Sequence, residues 1–128
     1  MYHVDIINDG GSAFKIRSKD GEFMVDTKGS GVTPPDTLLA SVGSCIGVYI
    51  RKYCEGAKLP IGGFNISVDA DFVKEAPVRF KDIKVSIDLK GVALDDRRMA
   101  AILEFIKNCP VHNTIKGNPA FSIDISKK

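Results

Sequence analysis

From Thr37 to Ile50 the chain reads Thr-Leu-Leu-Ala-Ser-Val-Gly-Ser-Cys-Ile-Gly-Val-Tyr-Ile, and no charged residue interrupts it before Arg51-Lys52. A helix that is apolar all round is buried all round, so this segment dictates that everything else be arranged to cover it. Thr33-Pro34-Pro35-Asp36 opens the helix, because threonine is a good N-cap and proline suits the first turn. The helix is expected to run through Cys45 to about Glu55 and to end at Gly56. Gly43 and Gly47 lie one turn apart, with Ala40 and Ser44 also small. Each interior glycine costs about 1 kcal/mol relative to alanine, and the expected return is close approach of another backbone. One antiparallel sheet cannot cover every side of such a helix, so a second copy of the chain is a candidate cover.

The flanking sequence supplies strands. Val4–Ile7, Ala13–Arg17 and Glu22–Asp26 are separated by the turn signals Asn8-Asp9-Gly10-Gly11 and Lys19-Asp20-Gly21. Phe64 to Phe72 alternates apolar with polar residues, and a second long strand runs from about Phe80 to Lys90. Asp95 can cap a second helix carrying Met99, Ile102, Leu103 and Ile106, which Cys109-Pro110 terminates. Phe121, Ile123 and Ile125 read as a last strand. The order predicts an α+β fold, antiparallel sheets around a buried central helix, in a single domain over residues 1–128.

Bulk properties exclude several function classes. Net charge is +2, tryptophan is absent, and no basic run is interleaved with aromatics, so neither nucleic acid nor a membrane surface is an expected partner. No apolar run reaches the ~20 residues of a membrane span, and Met1 leads into strand-like alternation without a signal peptide. The expected location is cytoplasmic. Three cysteines in a reducing compartment argue against a structural disulfide framework. Two histidines and three scattered cysteines also lack metal-finger spacing, so no metal and no cofactor is expected.

The cysteines carry the chemistry. A mid-helix cysteine such as Cys45 is most simply a small core residue, and Cys54, near the helix end, takes that reading outright. Cys109 sits in Asn108-Cys109-Pro110-Val111-His112 at a helix end. A helix C-terminus disfavours a thiolate there; if Pro110 starts a new helical turn, the sign reverses. The sequence leaves both open.

Thr33-Pro34-Pro35-Asp36-Thr37-Leu38-Leu39-Ala40-Ser41-Val42-Gly43-Ser44-Cys45 resembles the central helix motif of the OsmC/Ohr family, the osmotically induced and organic-hydroperoxide-resistance proteins. Cys109-Pro110-Val111-His112 resembles that family's second cysteine motif, and Gly10-Gly11 with Ser18-Lys19-Asp20-Gly21 its N-terminal hairpin. The resemblance spans essentially the whole chain. It implies an intertwined homodimer that reduces organic hydroperoxides, with Cys45 peroxidatic, Cys109 resolving, and a thiol reductant such as a dihydrolipoyl protein resetting the pair. The family arginine that supports the thiolate falls at Ser12, and the acid that holds it corresponds to Asp36. On its own residues Asp36 is equally a helix-start acid favoured by the dipole. Lys52, seven residues after Cys45 on the same face, either compensates for the missing cation or is a solvated charge.

Three functions compete on the sequence: a thiol peroxidase of modest activity; a non-catalytic or redox-sensing dimer binding a hydrophobic ligand in its interface cleft; and a Cys/His acyl-transfer enzyme with His112 as base, for which no oxyanion-hole signal exists.

Overall fold

A computed structural model describes residues 1–126. Backbone contacts divide the chain into two compact units, Met1–Ser41 and a second from Val42 onward. The first unit holds β1 (Asp5–Ile7), β2 (Ala13–Ser18) and β3 (Gly21–Asp26) in one antiparallel sheet of order β1-β2-β3. The polar turn between β1 and β2 is held by Asn8, whose amide donates to the carbonyls of Gly11 and Ala13 at 2.8 and 3.0 Å. Gly10 lies there at φ 117°, a conformation that side chains other than glycine's resist. Ser18 pairs with Gly21, leaving Lys19-Asp20 as a two-residue hairpin loop.

Helix α1 (Pro34–Gly56) starts as its sequence predicts and crosses from the first unit into the second. Thr33 and Asp36 form a reciprocal cap: the Asp36 N–H donates to Thr33 Oγ1 at 3.3 Å, and the Asp36 carboxylate accepts from the Thr33 N–H at 3.0 Å and its hydroxyl at 2.8 Å. The helix closes with the Leu59 N–H donating to the Cys54 carbonyl at 2.8 Å and Lys58 left-handed at φ 55°. The chain reversal therefore falls on Lys58, two residues beyond the glycine that was expected to make it.

In the second unit β4 (Asn65–Phe72) and β5 (Phe80–Asp88) form an antiparallel pair with an irregularity between Ala70 and Phe72. Helix α2 (Asp96–Phe105) is capped by Asp95, whose side chain accepts from the Arg98 N–H. A 3-10 turn (Ile106–Asn108) leads to Cys109, and α3 (Pro110–Gly117) follows. The core of this unit is Val42, Ile46, Ile50, Cys54, Ile102 and Cys109, with Ile66, Val85, Ile87 and Leu94 packed around it.

Two expectations are corrected here. Residues 121–125 are not a strand: Phe121, Ile123 and Ile125 are all more than 80% exposed, with no strand pairing to hold them. Alternation alone does not make a strand where no neighbouring edge accepts it. Cys109-Pro110 does not merely terminate a helix. Proline at the first helical position gives up an N–H that would have no partner anyway, and so it opens α3. Within this one chain α1 is buried along one stripe, Val42, Gly43, Ile46, Ile50 and Cys54, whereas Val48 is half exposed, on the side for which a second copy is the expected cover. Within one chain, a two-stranded sheet and α2 cover only one side. Gly43 and Gly47 face the side chains of Val68, Ile66 and Phe64, so the close approach expected of the glycines is that of α1 upon β4.

Candidate active site

Cys45 and Cys109 lie together in the second unit. Cys45, midway along α1, is half-buried, whereas Cys109 is fully buried at 0% exposure. The dry sulfur expected at Cys45 is thus found at Cys109, and Cys45 is the one that solvent reaches. Their thiols are hydrogen-bonded to one another. Because Pro110 forces the residue before it out of the helical region, Cys109 takes φ −59°, ψ 116° and becomes the N-cap of α3. Its Sγ accepts the His112 N–H at 3.4 Å.

The first turn of α3 thereby serves both sulfurs. Pro110 has no N–H, Val111 directs its N–H to Cys45, and His112 directs its own to Cys109. Amides at a helix N-terminus without intrahelical partners, aided by the dipole, favour negative charge. Of the two placements left open by the sequence, Cys109 takes the start of a helix. Burial pushes the Cys45 thiol up from its ordinary pKa, and the hydrogen bond to Cys109 adds to this; the Val111 N–H and the Lys52 ammonium act against both. Cys54 is buried in the same core as Cys109, nine residues after Cys45 on α1, and desolvation raises its pKa, opposed by Arg51. The packing role expected for it holds.

A small cavity of about 270 Å³ lies between α1, α3 and β5, and neither cysteine lines it. It is lined by Val42, one turn before Cys45, by His112 and Ile115 of α3, and by Phe80, Lys81 and Ile83 of β5. Among the described residues, no three side chains of the metal-ligating types gather, and no helix is long and apolar enough to cross a membrane.

The other two sequence candidates lie in the first unit. Asp36 holds Thr33 in the α1 cap, and these hydrogen bonds lower its pKa below the ordinary carboxylate value. Ser12 hydrogen-bonds Asp26, which also accepts the Lys28 N–H at 2.8 Å; together with Ser30 these bonds hold the Asp26 carboxyl low against the opposing effect of burial. Because folding lowers both carboxyl pKa values, both contribute stability above the unfolded carboxylate pKa and lose it as pH falls through the folded values. Unfolding followed in urea at descending pH should show stability declining below about pH 4. Asp26→Asn and Asp36→Asn should each flatten that decline; equal slopes in parent and variants would contradict these assignments.

What the sequence reading missed is the pair of amides, Val111 and His112. The available signal was proline directly after cysteine, for which the sequence left stop and start both open. A protein-family model described as OsmC-like protein matches residues 27–124. The chain belongs to the OsmC family. Solved structures agree on the OsmC fold at low identity. An osmotic stress induced and detoxification response protein from Psychrobacter arcticus 273-4 aligns at 20% identity, covering 89% of this chain and 88% of its own, with a TM-score of 0.78. An OsmC-like protein from Mycoplasma pneumoniae aligns at 16% identity over 92% and 89%, also at 0.78. The organic hydroperoxide resistance protein OhrB of Bacillus subtilis aligns at 21% identity over 92% of each chain, at 0.61. No curated protein matches the sequence.

Proposed function

We propose that this OsmC-family chain is a thiol-dependent peroxidase acting on organic hydroperoxides. The observation that carries the reading is the hydrogen-bonded pair Cys45–Cys109 at the N-terminus of α3. The Cys45 thiolate attacks the terminal peroxide oxygen, the O–O bond breaks, and an alcohol leaves after taking a proton. Cys45 is then a sulfenic acid. The Cys109 sulfur attacks it, a disulfide forms and water leaves. A dithiol reductant, such as a dihydrolipoyl protein, exchanges with that disulfide and restores both thiols. The partial exposure of Cys45 suits it to meet the peroxide, and the apolar walls of the cavity that begins at Val42, one turn before it, suit an organic substituent. The name of the Bacillus subtilis relative, a hydroperoxide resistance protein, points the same way.

In this reading Asp36 occupies the position of the family acid at the head of the central helix, and the absence of arginine at position 12 makes the activity modest. The protein works in the cytoplasm as a homodimer whose second copy covers the exposed side of α1, where Val48 lies half exposed. Sedimentation at micromolar concentration should give a dimer; a stable monomer would contradict the assembly.

The direct test of activity is stoichiometric. The fully reduced protein, without added reductant, should consume about one equivalent of cumene hydroperoxide per chain and then stop, since one thiol pair supplies two electrons. A second reading, a hydrophobic-ligand binder, is favoured by an open apolar pocket of about 500 Å³ lined by Val85, Ile87, Leu89, Leu94, Met99 and Ile102. No peroxide consumption, together with saturable binding of a fluorescent apolar probe, would favour that reading.

A further inference from the structure

A half-buried thiol among apolar neighbours loses solvation when it ionises, yet the thiolate is the nucleophile. The groups that favour the Cys45 anion are the Val111 N–H and the Lys52 ammonium. Lys52 follows Cys45 by seven residues, nearly two full turns, and so shares its face of α1. Helical side chains lean back toward the N-terminus, which sends the long Lys52 stem toward Cys45. Its Nζ stands 4.8 Å from the centroid of the Tyr49 ring, and Tyr49 lies one turn after Cys45. That ring is tilted against Phe105 of α2 with centroids 5.9 Å apart. The charge therefore has a fixed seat one turn from the sulfur. The titratable groups that act on Cys45 are Cys109, from the junction before α3, and Lys52 on its own helix; no carboxylate of the described residues is among them.

We infer that Lys52, seated on the Tyr49 ring, is the positioning cation of the Cys45 site. The inference rests on the thiolate chemistry proposed above, but its readout is alkylation, which needs no peroxidase activity. Site-resolved labelling of Cys45 by iodoacetamide is measured in the full reduced chain across the neutral and alkaline range. Lys52→Met should lower Cys45 labelling at neutral pH by about threefold, the effect of one solvent-exposed charge at several ångströms, and displace the pH profile to the alkaline side. Lys52→Arg should restore both. Tyr49→Leu, which removes the seat and keeps the charge, should reproduce part of the loss. In the parent, high salt should slow labelling toward the Lys52→Met level, a result independent of whether any variant folds. An unchanged profile in Lys52→Met, a loss that arginine does not restore, or salt-insensitive labelling of the parent would overturn the inference. Lysine-dependent labelling in a protein inert toward peroxide would overturn the peroxidase reading alone.

Discussion

Replacing Cys109 with serine should leave the first reaction of Cys45 with peroxide intact and prevent the second. The geometry gives the reason. Cys45 is partly exposed midway along a helix, so an incoming peroxide can reach it, whereas Cys109 is wholly buried and reaches solvent only if its segment moves. Cys109 lies between a 3-10 turn and a short helix, where backbone rearrangement is easier than within α1. Without that sulfur the Cys45 sulfenic acid has no thiol beside it. It should persist after one equivalent of peroxide and advance to sulfinic acid under excess. Cys45→Ser should abolish even the first turnover, a loss of activity to background. Cys54→Ser should do neither, because Cys54 is a core residue at 1% exposure, about 13 Å along α1 from Cys45. Peroxide consumed per chain by each reduced variant, followed by intact mass, reads all three. If Cys109→Ser loses the first turnover while Cys45→Ser keeps it, the roles are reversed.

The second large effect is structural. Gly43→Leu should destabilise the protein severely. A Cβ at position 43 would stand 2.9 Å from Val68 Cγ2 and 3.6 Å from Ile66 Cγ2. Both neighbours are β-branched residues on β4 with little rotamer freedom to retreat. Overpacking of this kind costs about 1–3 kcal/mol and sometimes more, against a helix-propensity gain of about 1 kcal/mol. The larger leucine should fall at the upper end and lower the thermal midpoint by about 10 °C or prevent folding. Gly43→Ala should suffer less, because a single methyl asks only Val68 to move. Gly56→Ala is the control on the same helix: nothing lies within 4 Å of its added carbon, so it should gain up to about 1 kcal/mol from helix propensity alone. A Gly43→Leu variant as stable as the parent would mean that α1 does not lie on β4 as described.

How much of this was legible in the sequence depended on whether the signal was local. The start of α1 was readable because Thr33, Pro34 and Asp36 are local chemistry, and the capping bonds are those that the residue types imply. The hairpin of β2 and β3 and the alternation in β4 and β5 were readable for the same reason. The last strand was not: the alternation at Phe121, Ile123 and Ile125 is genuine, but pairing is a property of a neighbour, which a single segment cannot reveal. The two cysteines were identified through a family resemblance. Their contact joins positions 64 residues apart in the chain, beyond anything periodicity encodes. Whether Pro110 ends one helix or begins another was not legible, because proline both cannot continue a helix and suits a first turn. Lys52 was visible as a charge on the right face, but its seat on Tyr49 depends on the packing of Tyr49 against Phe105.

The central claim is that Cys45 and Cys109 are one redox pair. The measurement that tests it most directly is a peptide map of the reduced protein after a single equivalent of cumene hydroperoxide, with free thiols blocked in acid. The account predicts a chain lighter by two hydrogen atoms, a disulfide joining the Cys45 and Cys109 peptides, and Cys54 recovered as the blocked thiol. A chain of unchanged mass, or a disulfide that includes Cys54, would contradict it.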